Sequence, residues 1–309
     1  MHRRRAIGLI VGGASAGIGG LAAARWWKAR RNLPQAGPPA PPSPVGEISQ
    51  LAERLYVVPG GGGNSAIFIA DAGVLVVDTK YPERGDELLE RIASITQRPV
   101  THLVNTHFHI DHAGGNDAMP AGALLTVHQN TAVRIGKMRR DTGRGPILQP
   151  IQTFSDKHTL FQGDDTVDLW NFGAAHTDGD AFVVFRSARV MHAGDVFIDK
   201  IAPIINLPSG GDPGAYAGTI AHATAAITGV ERVITGHGQV LPWEEFVRYG
   251  EFVRLIVDHV RAAMRAGKDW NQARRELTLP PEFDDYNLER LILTFHDIYK
   301  GFTPWWHVW

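Results

Sequence analysis

Thr106-His107-Phe108-His109-Ile110-Asp111-His112 is the stretch that most restricts what this chain can become. Three imidazoles and one carboxylate fall within six positions, directly after residues 100–105, whose apolar pattern predicts a strand. Neutral imidazole and carboxylate are good ligands for zinc and similar divalent ions. The chain contains 14 His. At this composition a His-x-His-x-Asp-His pattern would arise by chance in about 0.002 of chains, so the motif is specific.

Three more segments share one local design, a strand end followed by a Gly-bearing loop and a potential ligand. They are Ala175-His176-Thr177-Asp178-Gly179-Asp180, His192-Ala193-Gly194-Asp195 and Thr235-Gly236-His237-Gly238. Loops at strand ends are where a rigid scaffold presents functional groups, and glycine beside a ligand leaves room for an ion. There is no cysteine, so any metal is held by nitrogen and oxygen alone. Taken singly, each histidine reads as an ordinary hydrogen-bonded residue; taken as a set, they read as a metal site. His192 is expected to be packed strand. The run Gly60-Gly61-Gly62-Gly63 lacks the Lys-Ser/Thr and helix of a phosphate loop, so a flexible hairpin turn is expected, with a flap over the site as the second role. Arg139, Arg140 and Arg144 read as solvated charges, with an anionic substrate group as the alternative partner. His307, among Trp305, Trp306 and Trp309, reads as C-terminal packing.

Short apolar runs predict strands at residues 55–58, 66–70, 74–77, 100–105, 124–127, 166–172, 181–185, 189–192 and 231–235. Helical spacing marks residues 86–95 and 216–227, and nearly everything after Trp243, including 288–299. Two β-rich halves with interspersed helices indicate layered α/β architecture. The formal net charge of -1 gives no global sign of nucleic-acid binding. A small-molecule substrate is the expected partner, and the oligomeric state is not readable.

The N-terminus has a different character. Arg3-Arg4-Arg5 precedes an uncharged run, residues 6–24, rich in Gly and Ala. Residues 1–33 therefore read as a secretory signal, with a resemblance to twin-arginine signals, or as an uncleaved membrane anchor; a cytosolic tail is the third reading. Residues 34–46 carry Pro34, Pro38, Pro39, Pro41, Pro42 and Pro44 and read as an extended linker. The folded domain is expected over residues 47–309. The expected location is the periplasm or another exported site, with membrane association through the N-terminus.

Together the four ligand motifs resemble the metallo-β-lactamase fold superfamily, over residues 55–238. That resemblance implies an αββα four-layer sandwich, here with extra C-terminal helices, and two divalent metal ions, with zinc expected, at one edge. Carried over by position, His107, His109 and His176 would hold one ion. Asp111, His112 and His237 would hold the other, with Asp195 bridging and Asp78 supporting the metal loop from outside. The ligand set resembles glyoxalase II rather than the β-lactamase branch with a Cys ligand, although the basic C-terminal segment of glyoxalase II is missing. Asp195 and His237 are 42 positions apart, too close for the β-CASP nuclease insertion. Flavodiiron members carry Glu where this chain has His109, whereas iron persulfide dioxygenases share the His-x-His-x-Asp-His form.

The activity implied is hydrolysis of an ester, thioester, lactone or lactam. Two ions sharing a water lower its pKa toward about 7, and the bridging hydroxide attacks a carbonyl carbon. Asp111 is the candidate catalytic residue, orienting the water and relaying its proton. The alternatives are a mononuclear iron sulfur dioxygenase and a noncatalytic metal-binding protein of the envelope. A twin-arginine route carries folded protein, so replacing Arg4 and Arg5 with Lys should trap active enzyme in the cytoplasm. Cell fractionation checks this, and normal export of that variant would assign the general secretory route or an anchor instead.

Overall fold

Strands buried on both faces need continuous apolar runs, since neither face meets water. Gly73–Val77 and Phe182–Phe185 are such runs, every residue buried. A computed structural model of the protein describes residues 43–142 and 151–303. In it, these two segments lie in two sheets stacked face to face, with helices on both outer faces, which is the expected αββα sandwich.

The first sheet has seven strands in sequence order: β1 (Ser49–Ala52), β2 (Leu55–Val58), β3 (Ser65–Ala70), β4 (Gly73–Val77), β5 (Val100–Val104), β6 (Leu124–His128) and β7 (Ile151–Phe154). Strands β1 to β4 pair antiparallel; β4 to β7 pair parallel. The second sheet has six, in the order β13-β12-β11-β10-β9-β8. They are β8 (Lys157–Leu160), β9 (Val167–Trp170), β10 (Phe182–Phe185), β11 (Val190–His192), β12 (Arg232–Ile234) and β13 (Val240–Pro242). Within it only β11 and β12 run parallel.

Alternation along each strand divides the apolar residues between layers. In β4, Leu75 and Val77 enter the core between the sheets, while Val74 and Val76 face helix α1 (Gly85–Ala93) through Leu88 and Ile92. In β10, Val183 and Phe185 enter that same inter-sheet core. Phe182 and Val184 face the other helical layer, built on α4 (Tyr216–Ala226) and α5 (Trp243–Arg265). Helices α6 (Trp270–Glu276) and α7 (Leu291–Phe302) complete this layer. Two further helices stand between strands of the first sheet: the short α2 (Ile110–Ala113) and the longer α3 (Gln129–Thr142).

The structure departs from the sequence expectations in three places. Strands β1, β7, β8 and β13 and helix α3 have no counterpart among the predicted elements. Val45, placed in the linker, is buried at 4% exposure and bridges Gly60, and Gly46 N donates to Pro59 O at 2.8 Å. The Gly60-Gly61-Gly62-Gly63 turn is not a loose hairpin tip, because Gly61 and Gly63 are buried. Residues 1–33, most of the Pro-rich stretch, Arg144 and His307 lie outside the described residues, as do the side chains of Arg139 and Arg140. No helix among the described residues is long and apolar enough to cross a membrane.

Lys80 fastens the glycine turn. Its side chain is fully buried, and Nζ donates to Val58 O at 2.5 Å and Gly63 O at 2.7 Å. Burial pushes its pKa down to about 7, with Asp78 opposing. Between pH 7 and the ordinary lysine value of 10.5, the unfolded chain holds a proton that the folded chain has released. Stability therefore rises with pH across that window. Denaturant unfolding of the metal-loaded protein should show that rise, and Lys80→Met should reduce its slope; equal slopes in both proteins would place the buried lysine's titration elsewhere.

Candidate metal centre

Parallel strands leave their carboxyl ends at one edge, and ligand sites form just beyond them. Strand β4 ends at Asp78 and β5 runs into His107, His109, Asp111 and His112. In the second sheet, the segment after β9 carries His176, that after β11 carries Asp195, and that after β12 carries His237. The structure brings all seven candidate ligands together in two groups. His107, His109, His176 and Asp195 form one; Asp111, His112 and His237 form the other. Within each group the donor atoms lie within 4.8 Å of one another.

In the first group, His109 Nδ1 stands 2.9 Å from His107 Nε2 and 3.0 Å from His176 Nε2. In the second, His112 Nε2 is 3.2 Å from His237 Nε2, and Asp111 Oδ2 is 3.3 Å from His237 Nε2. Asp195 lies between the groups. Its Oδ2 is 3.6 Å from His176 Nε2, and its Oδ1 is 3.2 Å from His112 Nε2 and 3.4 Å from His237 Nε2. Oδ1 is buried, yet none of these neighbours is aligned to donate a hydrogen bond to it.

The outer nitrogens are held by a separate set of groups, as metal-binding imidazoles require. His112 Nδ1 donates to Asp78 Oδ2 at 2.7 Å, and Asp78 also accepts from Thr106 N and Thr106 Oγ1, each at 2.7 Å. His176 Nδ1 donates to Ile204 O at 2.9 Å, and the Asn206 carboxamide lies 2.6 Å from His109 Nε2. Sequence reasoning anticipated Asp78 but not Asn206, which is 97 positions from His109 and sits in no motif. It also missed the bracing of the His176 loop. Arg134 in α3 pairs with Asp178, Thr131 Oγ1 donates to Gly179 O at 2.8 Å, and buried Asp180 accepts from Thr177 N at 2.8 Å. Burial raises the Asp180 pKa to about 6. His192, read as packed strand, is fully buried, with Nε2 donating to Asn64 O at 2.9 Å.

Two glycines are explained by this crowding. A Cβ at Gly63 would come within 2.1 Å of His112 Cε1, and one at Gly236 within 2.1 Å of Asp195 Oδ1. The glycine turn is thus a fixed wall of the second group rather than a free flap.

Charge divides the site unevenly. Burial lowers the pKa of His109 to about 4 and that of His107 well below the usual value, with neighbouring imidazoles adding to both shifts. Their lone pairs are free at neutral pH. For Asp111, burial works toward the neutral form, but His112 and His237 outweigh it and lower its pKa to about 2; Asp195 is held low in the same way. For His237, burial is outweighed by Asp111 and Asp195, which raise it to about 9; His112 is raised well above its usual value by Asp195, Asp111 and Asp78. Cation uptake by the second group therefore displaces protons, whereas His107 and His109 of the first group are already deprotonated.

These residues fit a pair of divalent cations. The donors are nitrogen and oxygen only, they converge as two separate groups, and an orphaned carboxylate oxygen faces the second.

Comparison with known proteins agrees with this geometry. The family model of the metallo-beta-lactamase superfamily matches residues 58–237. The chain is 39% identical over 87 residues to metallo-beta-lactamase domain-containing protein 1 of Rattus norvegicus, covering 28% of this chain and 35% of that protein. It is 25% identical over 204 residues to metallo-beta-lactamase type 2 of Bacillus sp. (strain 170), covering 62% of this chain and 76% of the other. Among solved structures, the fold resembles a stereoselective inverting sec-alkylsulfatase from Pseudomonas sp., with a TM-score of 0.70 and 15% identity over 84% of this chain and 50% of that one. A metallo-beta-lactamase from Pontibacter korlensis gives a TM-score of 0.57 at 19% identity, covering 67% of this chain and 98% of the other. The chain thus spans about a third of the rat relative and half of the alkylsulfatase. With the ligand loops inside the matched segment, and the match covering more than half of its length, the chain belongs to the metallo-β-lactamase superfamily.

Proposed function

We propose that this protein is a dinuclear metal-dependent hydrolase. His107, His109 and His176 would hold one divalent cation and Asp111, His112 and His237 the second, with Asp195 placed between the two donor groups. The observation that carries this reading is Asp195, a buried carboxylate with one oxygen turned to each donor group and with Oδ1 unmatched by any hydrogen bond. A mononuclear iron oxygenase would use the first group and leave the second, equally convergent, without a cation.

Bound there, cations of the zinc type supply Lewis acidity toward a carbonyl oxygen and bring the pKa of water toward about 7. The chain's own contribution is orientation and proton handling. Asp111 is the more open of the two site carboxylates, its side chain 19% exposed against 7% for Asp195. Its neighbours keep it ionised, so it accepts a hydrogen bond from the attacking water and fixes its direction. The proton then passes through the same carboxylate to the leaving group. No Ser or Cys nucleophile is required. The substrates are esters, thioesters, lactones or lactams. The proposal also keeps the protein exported, in the periplasm or on its membrane, through residues 1–33.

Metal analysis of purified protein tests the ligand assignment. His109→Ala and Asp195→Ala should each lower metal content and abolish hydrolysis of an activated ester or lactam; unchanged stoichiometry in both would sink it. Asp111→Asn should lower turnover on the order of 100-fold or more with the fold intact. Near-normal turnover would move the relay to another group.

A further inference from the structure

Beside the first donor group lies a cavity of about 290 Å³ that the ligand assignment does not use. One wall is the rings of His109 and His176. A second is the segment 204–208, which presents Ile204, Leu207 and Pro208. The third is helix α7, which contributes Asp297 and Lys300. The volume is at the lower end of the range for ligand pockets, about 300–1,000 Å³, so it suits one short arm of a substrate.

Each wall is fixed. Segment 204–208 is tied to the metal ligands by the Ile204 and Asn206 contacts and by Asn206 N donating to His176 O at 2.9 Å. Helix α7 is anchored by buried Leu291, Phe295 and Ile298, and Thr294 Oγ1 donates to Pro203 O at 3.0 Å. Gly301 lets the helix approach closely, since a Cβ there would stand 2.7 Å from Pro213 Cγ and 3.1 Å from Leu207 Cδ2.

The two charged groups on α7 are not equivalent. Asp297 Oδ1 is engaged by His296 Nδ1 at 3.1 Å. Lys300 is exposed and makes no ion pair with any described residue. The cavity wall thus carries one cation without an ion pair among the described residues, Lys300, and one carboxylate whose hydrogen-bond partner is an imidazole. Asp297, one helical turn before Lys300, would repel a dianion such as a phosphate monoester more strongly than a single carboxylate.

Resting on the hydrolase reading above, we infer that this cavity selects substrates whose short apolar arm ends in a single carboxylate, with Lys300 as the specificity-determining residue. The apolar part of the arm lies along Ile204 and Leu207, and the carboxylate meets the Lys300 ammonium, while the scissile group sits at the metal ligands. This narrows the substrates to monoanionic esters, thioesters or lactams.

The test uses the full zinc-loaded protein, the succinate mono-para-nitrophenyl ester, and the neutral para-nitrophenyl pentanoate of similar length. Lys300→Glu should lower the anionic-to-neutral ratio of kcat/KM about tenfold, through KM, as expected for loss of a charge-assisted hydrogen bond. Lys300→Arg should keep most of the preference, and metal content should be unchanged in both variants. Calorimetric titration with succinamate, the monoanionic half-amide of succinate, provides a second readout, in which Lys300→Glu weakens binding about tenfold. If neither ester is turned over, the hydrolase reading fails while the succinamate titration still decides the role of Lys300. An unchanged ratio with equal succinamate affinity in wild type and Lys300→Glu, or no succinamate binding to wild type, overturns the inference.

Discussion

The buried carboxylate of Asp78 is the contact on which the site geometry depends. It stands at the carboxyl end of β4 with φ 59°, in the left-handed region that non-glycine residues seldom occupy. A fully buried carboxylate is costly unless hydrogen bonds compensate it. Here three donors do so: Thr106 N, Thr106 Oγ1 and His112 Nδ1. Those donors belong to the loop that carries four of the seven candidate ligands. One side chain thus ties the end of β4 to the loop leaving β5 and sets the direction of His112. The same corner is closed by Lys80, which binds the carbonyls of Val58 and Gly63 and presses the glycine turn against the His112 ring.

Support for the two donor groups comes from different parts of the fold. The second group leans on an anion, Asp78, within the first sheet's loops. The first leans on neutral groups, the Ile204 carbonyl and the Asn206 carboxamide, from the segment preceding α4. An anionic acceptor raises the basicity of an imidazole more than a carbonyl does. The two groups therefore offer a cation different donor strength, although each contains imidazole. The segment that supports the first group also lines the cavity under α7, so the orientation of the candidate ligands and the cavity wall share one piece of chain.

What the sequence made legible follows from how local each signal is. The His-x-His-x-Asp-His loop needs six consecutive residues, and the central strands announce themselves as unbroken apolar runs. The sandwich and the grouping of His107, His109, His176, Asp195, Asp111, His112 and His237 were readable on those grounds together with the family resemblance. Strands β7 and β8 were not, because each has a single buried residue, Phe154 or Leu160, and no apolar run to mark it. Helix α3 hides for a related reason: of its apolar side chains, Ile135 is fully buried while Val133 is 69% exposed. Asn206 and Lys300 carry no sequence signal at all. Their placement arises only after the chain has folded residue 206 back onto 109 and laid α7 beside 204–208.

The two ends of the sandwich are built on opposite principles. At the end away from the ligands, Arg54 before β2 pairs with Asp165 before β9 and with Asp71 in the β3–β4 turn, and Asp71 N donates to Asp165 Oδ2 at 2.6 Å. Carboxylates there are matched by a cation and a backbone donor, and the two sheets are joined without any further ligand. At the other end, Asp195 and Asp111 meet mainly imidazoles, and Asp195 Oδ1 lacks a hydrogen bond. Unmatched buried acceptors destabilise a fold unless something fills them. Each donor group draws on loops from both sheets: His176 and Asp195 join His107 and His109 in one, and His237 joins Asp111 and His112 in the other. A cation in either group would thus cross-link the sheets at that edge, so metal affinity and sandwich stability are a single linked quantity there. The Arg54 contacts and the apolar core between the sheets use none of the candidate ligands, so they join the sheets independently of any cation at the ligand end.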